Sequence, residues 1–171
     1  MSSIKQRLIL LGAAAYIAAA GHGIGMSETY GGKPDLVPYN DIGGVPTWCY
    51  GDTVGTPKAR YTVQECDRLL LKRVNQVWEG ISSNVPADAP DSVKEAMLSV
   101  AYNVGVTGWR HTLFTVPLAV RDWRAACEAI RAPWPGKYGV SQGFKATVNG
   151  RPVRGLENRR LVEYKTCIRD L

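Results

Sequence analysis

The sequence predicts an α+β fold, mainly α, in which a small β-hairpin lobe packs against a larger helical lobe with a cleft between them. Three observations lead there. The chain has 171 residues, 45% of them hydrophobic, enough for one domain with a sizeable core. Beyond residue 60 the apolar residues recur at helical spacing, whereas residues 36–53 alternate like strands around a Gly-Gly turn.

Taken in order, the first element is apolar. Residues 8–26, LILLGAAAYIAAAGHGIGM, contain no Asp, Glu, Lys or Arg and follow Lys5 and Arg7. As one helix they would reach about 28 Å, close to the roughly 30 Å of a bilayer's hydrocarbon core. The flanking cations would stay on the cytoplasmic side. Only Leu8, Ile9, Leu10, Leu11, Tyr16, Ile17, Ile24 and Met26 are large and apolar, so the inserted state is marginal. Three readings are open: a signal peptide cleaved near Ala18 to Ala20, a permanent anchor, or a weak anchor able to leave the bilayer. The division expected is a membrane segment at 1–27 and a globular domain at 28–171.

The hairpin comes next. In a strand at Val45 to Tyr50, Thr47 and Cys49 share one face and Trp48 and Tyr50 the other, and Gly43-Gly44 supplies the turn. Asp41 and Thr47 then lie on neighbouring strands, near enough to share a water. Helices follow. Thr62 and Glu65 form a capping box ahead of a helix to about Ser82, and Ser92 and Glu95 repeat that pattern ahead of one ending at Asn103-Val104-Gly105. A third is expected from Pro117 to Ala132, stopped by Pro133. A fourth runs from about Glu157 to Asp170, with Leu161, Tyr164, Cys167 and Ile168 on one side.

Four cysteines, Cys49, Cys66, Cys127 and Cys167, all lie outside the apolar segment. An even number in an exported chain suits two disulfides, with all three connectivities open, although a 49–66 bridge would tie a strand to the start of a helix. No CxxC or His-rich spacing suggests a metal. The net charge is +6, concentrated late in the chain at Lys145, Arg151, Arg154, Arg159, Arg160, Lys165 and Arg169. That favours an anionic partner; nucleic acid drops out because no recognised binding motif accompanies the charge.

Four landmarks in order, Asp41 and Thr47 within YNDIGGVPTWCYGDT, NVG at 103–105, GLENRR at 155–160 and a Cys soon after, resemble the phage-type lysozymes, glycoside hydrolase family 24. Within that family the N-terminal segment resembles the signal-arrest-release endolysins. The resemblance implies an exported, monomeric muramidase without cofactor. It would wait in the host inner membrane through residues 8–26, then act in the periplasm on the peptidoglycan bond between N-acetylmuramic acid and N-acetylglucosamine. It also implies catalytic roles for a Glu, Asp41 and Thr47. The family's usual Glu stands nine positions before the Asp, which here is Gly32; the nearest Glu is Glu28, thirteen before. An insertion within TYGGKPD accounts for the shift, so Glu28 is expected as the acid, with Asp35 the fallback. The family's usual His after CYG is Asp52 here, read as structural.

The chemistry needs one protonated carboxyl to give a proton to the leaving oxygen and an ionised group opposite an oxocarbenium-like centre. Glu28 against apolar neighbours would keep its proton, Asp41 in a polar turn would not, and the Thr47 hydroxyl would hold the attacking water. The rivals are a non-catalytic membrane-tethered wall-binding protein and a lytic transglycosylase.

Overall fold

The computed structural model describes residues 3–171 except 42, 113–114, 132–133, 137–138, 142–146, 149–150 and 153. The chain divides into two units, Met1–Gln76 and Val77–Leu171.

In the first unit, Ser3 opens helix α1 (Ile4–Leu10) through a reciprocal cap, accepting from Gln6 N while the Gln6 side chain accepts from Ser3 N. The chain breaks after Leu10, with Gly12 at φ +88°, and turns back as α2 (Ala15–Glu28). The stretch expected as a single membrane-length helix is therefore two helices. Among the described residues no helix is long and apolar enough to cross a membrane. The small residues allow the close packing of this segment. A Cβ at Gly21 would lie 2.5 Å from Leu8, and one at Gly25 would lie 2.8 Å from Ile4 and 3.4 Å from Tyr50. Ile4, Leu8, Ile17, Ala18, Ala20 and Ile24 are buried.

A polar seal joins α1 to the rest of this unit. Arg7 donates from Nε to Asp67 Oδ2 at 2.6 Å and from Nη2 to the Tyr50 hydroxyl at 2.9 Å, while that hydroxyl donates to Asp67 Oδ1 at 2.9 Å. Asp67 is only 2% exposed. Burial, with the Asp67 carboxylate second, pushes the Tyr50 phenol well above its ordinary range.

Strands β1 (Asp35–Asn40) and β2 (Pro46–Cys49) form an antiparallel pair with Tyr39 opposite Thr47 and Asn40 opposite Pro46. Thr47, Trp48, Cys49 and Tyr50 are all buried. Helix α3 (Val63–Ile81) starts at the expected capping box: Glu65 N donates to Thr62 Oγ1, and Thr62 N donates back to Glu65 Oε2. Its Leu70 and Val74 face the core.

Cys49 and Cys66 are bridged, as are Cys127 and Cys167. The first closes a separation of 17 residues, worth about 3 kcal/mol in the chain-entropy model. Replacing Cys49 and Cys66 by serine is expected to lower Tm by about 6–12 °C. Four titratable thiols in protein recovered from an oxidising compartment would contradict that expectation.

The second unit is built around Val93, Met97, Val100, Trp109, Leu118, Ala126 and Ile130, which pack as one buried cluster. Helix α4 (Asp91–Val104) begins after Pro90 with no side-chain cap, so the expected Ser92–Glu95 box is corrected. Ser92 is buried, and its hydroxyl donates to Cys167 O; Glu95 pairs with Arg169. Gly105 at φ +80° ends α4, and α5 (Val106–Arg110) follows.

The expected helix at 117–132 is instead two short ones, α6 (Thr115–Ala119) and α7 (Trp123–Glu128). The break falls at Arg121, whose φ is +59°, and Asp122 caps α7 through Ala125 N. Its expected end at Ala132 and Pro133 lies outside the described residues. Backbone hairpins pair β3 (Trp134–Gly136) with β4 (Gly139–Ser141) and β5 (Thr147–Val148) with β6 (Arg151–Pro152).

The last helix, α8 (Arg154–Cys167), starts earlier than expected. Leu161 is exposed, and the buried pair Arg160 and Glu163 takes the place expected for it. Burial pushes the Glu163 carboxyl up against the pull of Arg160.

Candidate active site

The three residues expected to carry chemistry all lie in the first unit. Asp41 follows β1 directly, and its role in the turn is local. Its Oδ1 accepts from Gly43 N and from Val45 N, both at 2.8 Å, while its backbone exchanges bonds with Val45 and Gly44. Two backbone donors on one oxygen fix the orientation of the carboxylate. The turn-residue role and a chemical role are therefore compatible, since this turn network uses Oδ1.

Thr47 sits in β2 and is 6% exposed. Its hydroxyl donates to Val45 O at 3.0 Å, which points the proton away and leaves the oxygen's lone pairs as the acceptor for a water. The same carbonyl accepts Asp41 N. Asp41 and Thr47 are thus both hydrogen-bonded to one residue, Val45, although Asp41 stands just past β1 rather than on the strand expected beside Thr47.

Glu28 is the last residue of α2 and is exposed. The apolar enclosure expected around it is corrected, because the residue is exposed; the turn at Gly51 passes close to it. A Cβ added at Gly51 would lie 3.6 Å from Glu28 Oε2 and 3.8 Å from Glu28 Cβ. Glycine suits that position twice over, because φ is +80° and the approach is close. Asp35, the fallback acid, is exposed at the start of β1, opposite Cys49.

The turn that holds Gly51 was not legible as part of a site. Trp48 and Asp52 exchange both backbone bonds across it, at 3.0 and 2.9 Å, and Cys49 takes φ +57°, unusual for a residue with a side chain. Two links pin the turn to α3. One is the Cys49–Cys66 bridge; the other is Arg73, which donates from Nη2 and Nε to Asp52 Oδ1 at 3.0 and 3.3 Å. Cys66 and Arg73 are seven apart and so share one helix face. That spacing was the signal available in the sequence for Arg73. Asp52 is structural, as expected. Among the described residues no group of three or more His, Cys, Asp or Glu could hold a metal.

Comparison with known proteins gives a consistent result. A family model described as phage lysozyme matches residues 31–163. The chain is 32% identical over 133 residues to a SAR-endolysin of Bacteriophage PS119, covering 77% of this chain and 72% of the relative. It is 30% identical over 135 residues to a SAR-endolysin of Enterobacteria phage P21, covering 77% and 74%. Among solved structures, the active form of P1 phage endolysin Lyz superposes with a TM-score of 0.77 at 25% identity, covering 99% of this chain and 95% of that one. The family match begins after Glu28; the P1 superposition extends over nearly the whole chain.

Proposed function

Since the chain belongs to the phage lysozyme family and is a phage endolysin that breaks the host cell wall, we propose that it hydrolyses the β-1,4 bond between N-acetylmuramic acid and N-acetylglucosamine, with Glu28, Asp41 and Thr47 as its chemical groups. The supporting observation is the hairpin. Asp41 and Thr47 are tied to one backbone residue, Val45, and the strand carrying Thr47 continues into the turn whose Gly51 abuts Glu28.

In this mechanism Glu28 gives its proton to the leaving glycosidic oxygen, and Asp41, held by two N–H groups, faces the developing positive charge at the anomeric carbon. A water that donates a hydrogen bond to Thr47 Oγ1 attacks that carbon and passes a proton to the Asp41 carboxylate as the C–O bond to the leaving sugar breaks. No cofactor enters. Peptidoglycan is the substrate, and no nucleic acid is involved.

Location follows the same reading. Residues 8–26 hold the exported chain in the inner membrane, and leaving the bilayer lets α1 and α2 fold into the first unit, as in the structure described above. Residues 1–27 are the switchable segment and 28–171 the lysozyme-like domain. The folded enzyme acts in the periplasm as a monomer.

The deciding measurement is mass spectrometry of fragments released from purified sacculi. Reducing muramic-acid ends that carry one added water are expected. Anhydro-muramic ends would assign a lytic transglycosylase, and absence of a cleared band on a wall-embedded gel would reduce the protein to a wall binder.

A further inference from the structure

One concavity of the first unit plays no part in the chemistry above. It has a volume of about 380 Å³ and lies between the segment after β2 and the first turns of α3. Trp48 and Tyr61 form its floor, stacked with ring centroids 6.2 Å apart and 5° between planes. Trp48 projects from the face of β2 opposite Thr47, so this pocket is on the other side of the hairpin strand from the proposed water-holding hydroxyl.

Its walls carry a charge imbalance. Glu65, Arg68, Leu69 and Lys72 fall at i, i+3, i+4 and i+7 of α3 and line it together. Both acids there are already engaged: Glu65 with Lys58 at 2.6 Å, Asp52 with Arg73 at 3.0 Å. The Lys58 ammonium, with the Thr62 cap second, lowers the Glu65 carboxyl to about 2, so that partner of Lys58 stays ionised in neutral solution. Arg68 and Lys72 are exposed and have no ion pair among the described residues. Two uncompensated cations one helical turn apart therefore overhang a hollow with an aromatic and aliphatic floor.

We propose that this pocket is a second substrate site, binding the carboxylates of the short peptide stems that peptidoglycan carries on its muramic acid. This rests on the reading of the protein as a wall hydrolase. The stems carry small alanine methyl groups together with several carboxylates, which suits an apolar floor beneath paired cations. A phospholipid surface matches less well. Its packed headgroups meet projecting side chains, and the floor here is recessed, with Trp48 2% and Tyr61 6% exposed. Binding there would hold the glycan by its peptides while the bond is cut on the hairpin's other side.

The test uses the full-length protein in its released form, with Arg68→Gln and Lys72→Gln combined. A second variant, Arg124→Gln with Lys165→Gln, removes the same two charges from exposed positions elsewhere. Each is assayed on intact sacculi and on glycan strands stripped of peptide by an amidase. The pocket variant should show KM raised about fivefold on intact sacculi, with kcat unchanged, and no change on stripped glycan; the control variant should match the parent on both.

An equal rise for both variants would overturn the proposal in favour of general charge attraction. No rise for the pocket variant, or the same rise on stripped glycan, would overturn it directly. So would tighter sedimentation of the parent than of the pocket variant with anionic phosphatidylglycerol vesicles, if isolated stem tetrapeptide fails to inhibit cleavage of sacculi. If the parent itself releases no reducing ends from either substrate, the wall-hydrolase reading fails, and that result is separate from any difference between variants.

Discussion

Glu28→Gln is expected to slow wall cleavage by about 10²–10⁴-fold, the usual contribution of a positioned proton donor. The substitution keeps the side chain's volume and hydrogen-bonding reach and removes only the transferable proton. Because Glu28 is exposed at the end of α2, the fold should shift by no more than roughly 0.5 kcal/mol, as for other surface changes. Circular dichroism and Tm close to the parent's, together with lost release of reducing ends, would assign the role. Near-normal turnover would remove Glu28 from the mechanism, and Asp35→Asn would then be the variant to examine.

The second large effect concerns release from the membrane. Leucine at Ala14, Ala15 and Gly23 is expected to hold the protein in the inner membrane and to delay lysis by many minutes or abolish it, with every chemical group intact. Each leucine favours insertion by about 0.3–0.6 kcal/mol near a helix centre, so three shift a marginal equilibrium by roughly tenfold. The folded structure decides which positions make a clean test. Ala14, Ala15 and Gly23 are exposed, and a Cβ at Gly23 meets nothing within 4 Å. Gly21 and Gly12, attractive on composition alone, are unsuitable: a Cβ at Gly21 would lie 2.5 Å from Leu8, and Gly12 has φ +88°. Membrane fractionation alongside culture turbidity is the measurement. Normal lysis by a fully retained variant would show that release is unnecessary, and a mature chain beginning near Gly21 would indicate cleavage instead.

What could be read from the chain was what is local. The Thr62–Glu65 box and the turn at Gly43-Gly44 depend on residues a few positions apart, and both form as read. Ser92–Glu95 has the same spacing, but Ser92 is used by Cys167, 75 residues away. No local rule reports that. Arg121 breaks a helix with a left-handed backbone that arginine does not advertise. The N-terminal alanines and glycines were ambiguous for a physical reason: small residues weaken insertion into lipid and permit close helix packing, and the same letters serve both. The strand that carries Thr47 was legible through hairpin alternation, and Asp41 proves to stand in the turn rather than on the neighbouring strand. The surroundings of Glu28 were not legible, because they come from the turn at Gly51, held by Arg73 and Cys66 from α3.

The seal between Arg7, Tyr50 and Asp67 bears on direction in time. In the proposed tethered state Arg7 and Lys5 are on the cytoplasmic side, whereas in the folded unit Arg7 is the partner of a nearly inaccessible Asp67. Folding therefore requires a guanidinium and an ammonium to cross the bilayer against the potential, which holds each by roughly 2.3 kcal/mol per 100 mV. Once across, going back means stripping Asp67 of its cation, a step costing about 3–5 kcal/mol for a buried pair. On that proposal the N-terminus would behave as a ratchet: an energised membrane would keep the pawl lifted, and the first collapse of the voltage would let it drop behind a charge that does not return.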